Sequence, residues 1–231
     1  MGELEQLAPA PTIGDRAYAA VREAIVSGNL KRGAKVTERG LADMLNISPT
    51  PVREALRRLE QDRLVERVGP RSVRIAQFDA DELRKITVIE DSLRALAARF
   101  AAENATDGQI SDLLGLLERA EQLAEQADTG DRAAVEGIRE VMREFHALID
   151  RASGSTTLIH MLHMVDAFNY EERRAALFDQ IEQEPSVVAE RFNQHRAIYE
   201  AIAARDADRA EQLMRDHSHA GNEPRLAHRK R

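Results

Sequence analysis

Three histidines in the second half of the sequence lie on apolar stripes of predicted helices. His146, His195 and His217 each recur with aliphatic or aromatic residues at helical spacing, so all three side chains are expected to point inward. A lone histidine on such a face is more often a hydrogen-bonded core residue than a ligand. Three on different helices can converge and bind a divalent cation, whose remaining positions take a carboxylate or water. The chain has no cysteine, so any metal must be bound by histidine and carboxylate side chains.

The elements that would position these histidines are six helices that follow one another from residue 79 onward. Capping signals such as Thr106 with Gln109, Gly154 with Ser155, and Asp206 mark the breaks between them. The predicted ranges are 79–103, 107–127, 131–152, 155–182, 185–204 and 206–220. With no strand pattern between them, these helices predict an antiparallel all-α bundle.

A second group of residues is basic and lies near the N-terminus, on two short predicted helices. Thr37 is placed to cap the first of them. A tight turn leads into the second, at about 49–62, with Ser48 as its N-cap and Pro49 as its first residue. Together with a preceding helix over 15–27, this pattern predicts a helix-turn-helix, which lays its second helix in the major groove of DNA.

A predicted β-hairpin follows the helix-turn-helix and forms a wing. Residues 64–68 and 72–75 alternate apolar and polar side chains on either side of Gly69 and Pro70. The residues positioned to contact DNA are polar or basic and lie on the two short helices and the wing. They are Arg39, Ser48, Thr50, Arg53, Arg57 and Arg71. Scattered arginines usually form a solvated helix face. Here the helix caps, the tight turn, the predicted wing and the excess of basic residues all favour contact with DNA.

Charge is divided unevenly along the sequence. Residues 1–77 contain 13 Lys and Arg against 10 Asp and Glu, whereas residues 78–231 contain 20 against 30. The net charge of -7 therefore conceals a basic N-terminal module, which favours nucleic acid, joined to an acidic one. We place the domain boundary at this change, with a DNA-binding domain at 1–77 and an all-helical domain at 78–231.

Composition excludes several classes of protein. No apolar run approaches the ~18 residues that a membrane-spanning helix needs, and residues 1–11 lack the basic start and apolar segment of a signal peptide. The absence of cysteine removes disulfides and thiolate nucleophiles. Because glycine and proline number only 12 and 7, we expect a mainly α-helical, cytoplasmic protein with no membrane partner.

The N-terminal module resembles the winged-helix domain of GntR-family bacterial transcription regulators. The matching runs are 28–33 (GNLKRG), 37–42 (TERGLA) and 48–59 (SPTPVREALRRL). The resemblance implies DNA contacts from Arg39, Thr50 and Arg53, and from the wing tip near Gly69. Members commonly carry an arginine where this chain has Pro49, which implies an altered operator preference.

Residues 79–220 resemble the FCD-type effector domain of the FadR-type subfamily. The clearest runs are 144–146 (EFH), 195–202 (HRAIYEAI) and 214–217 (MRDH). In metal-binding members, three histidines and an aspartate four residues before the first histidine hold a divalent cation that helps bind a carboxylate effector. His146, His195 and His217 match the three histidine positions, so the resemblance implies Zn, Ni or Mn as a cofactor and a small organic acid as the effector.

The chain departs from this pattern around the presumed pocket. Met142 stands where the aspartate ligand is expected, and an uncharged thioether is a poor ligand for Zn²⁺ or Mn²⁺. Members often carry an arginine on the first effector-domain helix with a glutamate four residues later, whereas here Glu90 precedes Arg94. The residues expected to line the effector pocket are Met142, Arg94, His163 and Arg173. A solvated helix face is an alternative for His163 and Arg173.

These features predict a ligand-responsive transcription regulator that binds a pseudo-palindromic operator in double-stranded DNA as a homodimer. One alternative is the same regulator without metal, sensing an acyl-CoA or another ligand. A second is a metal-dependent enzyme fused to a DNA-binding domain. Such an enzyme needs a general base, but the chain has no HExxH motif, and Glu144 lies two residues from His146 on a different helix face. We therefore expect no enzymatic activity.

Overall fold

The computed structural model describes residues 10–126, 132–168 and 186–228, which are mainly α-helical. The chain divides between Asp79 and Ala80 into two compact units, and each is described by itself. The predicted fold class, a winged helix-turn-helix followed by an all-α bundle, is confirmed. No described helix combines the length and the apolar composition that a membrane span requires.

The first unit contains three helices and three strands within the described residues. They are α1 (Ile13–Val26), β1 (Lys35–Thr37), α2 (Glu38–Leu45), α3 (Pro49–Gln61), β2 (Val65–Gly69) and β3 (Ser72–Ile75). The strands form an antiparallel sheet in the order β1-β3-β2, so the predicted hairpin gains a third strand. The sequence did not predict β1 because three residues are too few for an alternating pattern to be recognised.

Side-chain caps set the start of the first two helices. Thr12 and Asp15 form a reciprocal capping box that begins α1 two residues before the predicted start. Thr37 caps α2 as predicted, because its hydroxyl accepts a hydrogen bond from the amide of Gly40 at 3.0 Å. Ser48 occupies the N-cap of α3, but its side chain makes no capping hydrogen bond. The predicted N-cap position of Ser48, with Pro49 as the first residue of the helix, is therefore confirmed without a side-chain cap.

The core of the first unit is aliphatic, and polar contacts join α1 to α3 at its edge. Its fully buried side chains include Ile25, Leu56, Leu59 and Ile75. The Tyr18 hydroxyl donates to Oδ2 of Asp62 at 2.6 Å, and the guanidinium carbon of Arg58 lies 4.2 Å from the centroid of the Tyr18 ring. These contacts fix one side of α3 and leave the other side in solvent.

The second unit is a helical bundle. Its elements are α4 (Ala80–Asn104), α5 (Asp107–Gln126), α6 (Arg132–Ala152), α7 (described over 156–168), α8 (Ser186–Ala203) and α9 (Ala207–His228). The prediction of a helix over 155–182 is tested only as far as residue 168, because 169–182 lie outside the described residues. Helix α9 continues to His228, past its predicted end at residue 220.

Small residues allow α4 to pack closely inside this bundle. Its buried alanines are Ala95, Ala97, Ala98, Ala101 and Ala102, and α4 packs most extensively against α9. Phe145 of α6 and Ile198 of α8 are fully buried in the same core. Because His146 and His195 lie close to these residues on α6 and α8, the packing also determines where the histidines meet.

Candidate DNA-contacting surface and three-histidine site

The second helix of the helix-turn-helix, α3, has one buried face and one exposed polar face. Its fully buried side chains are Val52, Ala55, Leu56 and Leu59. Thr50, Arg53 and Arg57 lie on the exposed face, where spacings of three and four residues place them next to one another. The predicted DNA-contacting residues of α3 therefore form one continuous surface of hydrogen-bond donors.

The wing and α2 place further predicted residues in solvent. Arg39 on α2 and Arg71 between β2 and β3 are both exposed. Gly69 lies beside an irregularity in the pairing of β2 with β3, and a Cβ atom there would lie 2.7 Å from Oγ of Ser72. The carbonyl oxygen of Arg71 accepts the amide hydrogen of Glu38 at 3.0 Å, which joins the wing to the start of α2.

Glu38 is a buried anchor that the sequence analysis missed. Its side chain is 4% exposed, and its Oε2 accepts a hydrogen bond from Nε of Arg53 at 3.1 Å. Its Oε1 lies 3.7 Å from Nη1 of Arg67 on β2. One carboxylate thus orients an arginine of α3 and an arginine of the wing. In the sequence, Glu38 is recognisable only as an acidic residue in the first turn after Thr37, and such a residue is common at any helix N-terminus.

The three predicted histidines meet in the core of the second unit. His146, His195 and His217 each contribute one ring nitrogen to a group whose members all lie within 4.8 Å of one another. The Nε2 atoms of His146 and His195 are 3.1 Å apart, and the ring centroids of His195 and His217 are 4.3 Å apart. His195 and His217 are buried and His146 is half-buried.

Burial keeps two members of this cluster uncharged near neutral pH. Burial is the largest cause that lowers the pKa of His195 to about 3; the charge of Arg191 also lowers it, and a backbone hydrogen bond with Arg191 opposes both. Burial is also the largest cause that lowers the pKa of His217 well below its ordinary value, and the neighbouring His195 and Arg191 add to it. Neutral imidazoles retain a lone pair that can bind a metal ion or accept a hydrogen bond.

Two residues of α8 that the sequence analysis missed contact His217. Oε1 of Gln194 lies 2.8 Å from Nδ1 of His217, and Nη2 of Arg191 lies 3.5 Å from Nε2. Helical spacing gave a signal for Arg191, because it precedes His195 by one turn and so shares its face. Gln194 gave no such signal, since its role depends on where α9 lies.

Arg94, which was predicted to line the effector pocket, is bound by carboxylates from three helices. Its Nε donates to Glu90 at 3.2 Å, its Nη1 to Asp150 of α6 at 3.3 Å, and its Nη2 to Asp166 of α7 at 2.5 Å. Burial opposes the charge of Arg94, but the charges of Asp166, Asp150 and Glu90 outweigh it and raise the pKa of Arg94. Its guanidinium therefore joins helices and is not presented to an anionic ligand.

The other predicted pocket residues are dispersed. Met142 is half-buried, one turn before His146, and packs against the hydrophobic core. His163 lies on the exposed side of α7. Arg173 lies outside the described residues. Of the four predicted pocket residues, Met142 thus lies beside the histidines. Arg94 acts on them only through its charge, which contributes to lowering the pKa of His217.

Each unit matches a known protein family in sequence. Residues 13–75 match the bacterial regulatory proteins of the gntR family. Residues 86–220, more than half of the chain, match the FCD domain. The two matches fall on the winged helix and on the histidine-containing bundle, respectively.

Individual relatives agree with these matches. The chain is 31% identical over 138 residues to the HTH-type transcriptional regulator McbR of Escherichia coli, which covers 60% of each protein. It is 24% identical over 216 residues to the HTH-type transcriptional repressor RspR of E. coli, covering 92% of this chain and 88% of that protein. The solved structure of E. coli McbR/YncC superposes with a TM-score of 0.73 at 24% identity, over 95% of this chain and 99% of that one. This last similarity shows a shared fold.

Proposed function

The chain belongs to the GntR family of bacterial regulatory proteins and carries an FCD domain, and we propose that it controls transcription as a homodimer in response to a carboxylate effector. The relatives are transcription regulators, so the chain is a DNA-binding regulator and not an enzyme. The observation that carries the proposed effector site is the convergence of His146, His195 and His217 inside the FCD domain.

The exposed face of α3 supports a docking mode in the major groove. Thr50, Arg53 and Arg57 project from one side of the helix, where hydroxyl and guanidinium groups reach base edges and phosphates. Arg39 and the wing residue Arg71 flank this face in the proposed contact. Glu38 holds Arg53 before DNA binds, which lowers the entropy lost on binding.

We expect Arg39→Ala to weaken binding to a duplex selected by this protein from a random library, by about 5–150-fold, because one base contact contributes about 1–3 kcal/mol. Arg39 is exposed, so the midpoint of thermal unfolding should not change. The matched control is Arg84→Ala, which removes an arginine that is 46% exposed on α4 and pairs with Asp81. Equal affinities of the two variants in a fluorescence anisotropy titration would remove Arg39 from the interface.

The geometry of the histidines is compatible with a divalent cation. Two nitrogen ligands at about 2.0–2.1 Å from a tetrahedral metal lie about 3.3 Å apart, and the Nε2 atoms of His146 and His195 are 3.1 Å apart. His146, His195 and His217 would hold Zn²⁺, Ni²⁺ or Mn²⁺. Such an ion supplies a Lewis-acidic position for an oxygen ligand. Met142 cannot supply that oxygen, so an effector carboxylate is the proposed ligand.

Charge also supports an anionic effector. His195 and His217 are neutral and Arg191 lies beside them, so the described side chains around His217 contribute positive charge. A divalent cation would add to it, and a carboxylate would balance both. Differential binding of such a ligand to two arrangements of the protein, at a typical coupling energy of about 1–3 kcal/mol, would change DNA affinity about 5–150-fold.

An apolar surface supports the proposed homodimer. Val88 and Ile89 are consecutive aliphatic residues on α4, and their side chains are 59% and 52% exposed. Pairing of this surface with a second copy would bury them in a twofold interface. A twofold dimer would in turn present two winged helices to a pseudo-palindromic operator.

Met142 favours a second candidate, in which the same regulator binds its effector without a metal. An uncharged thioether beside His146 neither coordinates Zn²⁺ well nor balances its charge. The histidines would then act as hydrogen-bond partners for an acyl-CoA or another larger ligand. Neutral imidazoles are suited to that role, because each both donates and accepts.

Elemental analysis separates the two candidates. We expect the purified protein to contain about one Zn, Ni or Mn per chain, and a His195→Ala, His217→Ala double variant to contain none, because three imidazoles form the proposed ligand set. A His163→Ala variant is the control, since His163 is exposed on α7. Absence of metal from all three proteins, after growth and purification without chelators, would favour the metal-free candidate.

A further inference from the structure

The small sheet of the first unit has one face packed on the core and one face in solvent. Side chains alternate between the two faces of a strand, so Val73 and Ile75 of β3 are buried and Arg74 between them is exposed. Lys35 of β1 is the direct cross-strand partner of Arg74 and is also exposed. The outer face of the sheet therefore presents two basic side chains next to each other.

This pairing is unfavourable for the fold itself. Like charges directly opposite each other on neighbouring antiparallel strands destabilise a sheet. In the part of the chain that the structure describes, neither Lys35 nor Arg74 forms an ion pair that would offset their repulsion. Glu66 of β2 is the partner of Arg74 on its other side, and the row of three side chains stays positive overall. Folding alone thus gives no reason for two cations at this position.

The two cations adjoin elements that carry proposed DNA contacts. Thr37 follows Lys35 by two residues on the same face, about 7 Å along the strand. Thr37 caps α2, which carries Arg39 in its first turn. On the neighbouring strand, Arg74 follows the wing residue Arg71 by three positions. The outer face of the sheet therefore continues the proposed DNA-contacting surface of α2 and the wing.

The chemistry of this pair fits the DNA backbone. Duplex DNA carries one negative charge for about every 1.7 Å of its axis, so cations beside a docked helix meet phosphates whatever the base sequence. The Cβ atoms of directly opposite residues on a sheet are about 4.5–5.5 Å apart, so both side chains can reach one phosphate group. That phosphate would supply the negative charge that Lys35 and Arg74 share in no ion pair of the described chain.

We propose that Lys35 and Arg74 form a phosphate-binding site on the outer face of the sheet, which contacts the DNA backbone beside the groove that α3 enters. This inference rests on the docking mode proposed above. The site contributes affinity and salt dependence but no preference for a base sequence, because phosphates are the same at every position. It extends the contact with DNA from the wing tip to β1 and β3.

The test compares the full-length wild type with a Lys35→Gln, Arg74→Gln double variant in fluorescence anisotropy titrations. The probes are a duplex selected by the wild type from a random library and an unrelated duplex of equal length. Each lost phosphate contact lowers the slope of log affinity against log salt concentration by about 0.9, so two lost contacts lower it by about 1.8. The affinity advantage of the wild type should therefore shrink about 12-fold between about 50 and 200 mM NaCl, with both duplexes.

The matched control is an Arg151→Gln, Arg209→Gln double variant. It removes two exposed arginines of the helical unit and so changes the net charge equally, and it should bind like the wild type at every salt concentration. Lys35→Arg keeps the charge and should also bind like the wild type. The midpoint of thermal unfolding of Lys35→Gln, Arg74→Gln should not be lower than that of the wild type, because the substitutions remove a repulsion and no ion pair of the described chain.

An unchanged salt slope in Lys35→Gln, Arg74→Gln would overturn the proposal, and so would an equal change in the control. A loss of affinity confined to the selected duplex would also overturn it, because phosphate contacts are independent of base sequence. If Arg39→Ala weakens binding and the double variant does not, the proposed contacts of α2 and α3 stand without the sheet. If neither weakens binding, the docking mode and the phosphate site both fall.

Discussion

Replacing Arg94 with methionine is expected to lower the free energy of unfolding of the helical unit by about 3–5 kcal/mol, the usual result of removing one partner from a buried ion cluster. Glu90, Asp150 and Asp166 all lie against this guanidinium, whose side chain is 12% exposed. Methionine has a similar volume but no charge, so the variant keeps the packing and leaves three carboxylates without their shared cation. Since whole domains are stable by only about 5–15 kcal/mol, this loss is a large part of the free energy of unfolding.

Urea denaturation followed by circular dichroism measures this effect, with a chelator present throughout. Arg99→Met is the matched control, because Arg99 lies on the same helix and also contacts three carboxylates, of Glu103, Asp208 and Glu211. Its side chain is 33% exposed, so solvent screens these pairs and we expect a loss of about 1 kcal/mol or less. A similar loss in both variants would contradict the argument that burial makes the Arg94 cluster exceptional.

The elements with strong local signals could be predicted from the sequence. Thr37 and the pair Thr106 and Gln109 cap helices as predicted, because capping is decided within four residues of the chain. The apolar stripes of α6, α8 and α9 placed His146, His195 and His217 on inward faces. Helical periodicity indicates which face of a helix points inward, and three inward-facing histidines in one small bundle come close together.

What the sequence did not reveal depends on pairs of residues that are distant along the chain. Glu38 looked like an ordinary first-turn acid until the fold placed Arg53 and Arg67 against it. Arg94 was assigned to the effector pocket by the family resemblance, and no local pattern could reveal the carboxylates of α6 and α7 that bind it, which lie 56 and 72 residues away. Periodicity indicates which face of a helix is buried, but it does not identify the side chain that lies opposite.

The same cluster makes stability depend on pH through Asp150. Burial is the largest cause that raises the pKa of Asp150 from 3.8 to about 6, with Asp166 and Glu90 adding to it and Arg94 opposing it. The folded protein therefore binds this proton more tightly than the unfolded chain does. Ionised Asp150 destabilises the fold above pH 6, and the penalty is relieved as the pH falls from about 6 to about 4.

We therefore expect Asp150→Asn to stabilise the helical unit at pH 8 by at most about 3 kcal/mol. This limit follows because a difference of one pKa unit between the folded and unfolded states corresponds to about 1.36 kcal/mol. At pH 4 the carboxyl is protonated in the folded wild type, so the two proteins should be equally stable. Asp166→Asn is the contrasting variant, because Asp166 makes the shortest contact with Arg94, and its loss should destabilise the unit at pH 8. Ionisable groups that lie away from the Arg94 cluster contribute equally to the stability of wild type and Asp150→Asn. The pH dependence of the difference between their urea midpoints thus reports on Asp150 and its neighbours in that cluster, and a difference that is constant from pH 4 to pH 8 would show that Asp150 is not the group that titrates.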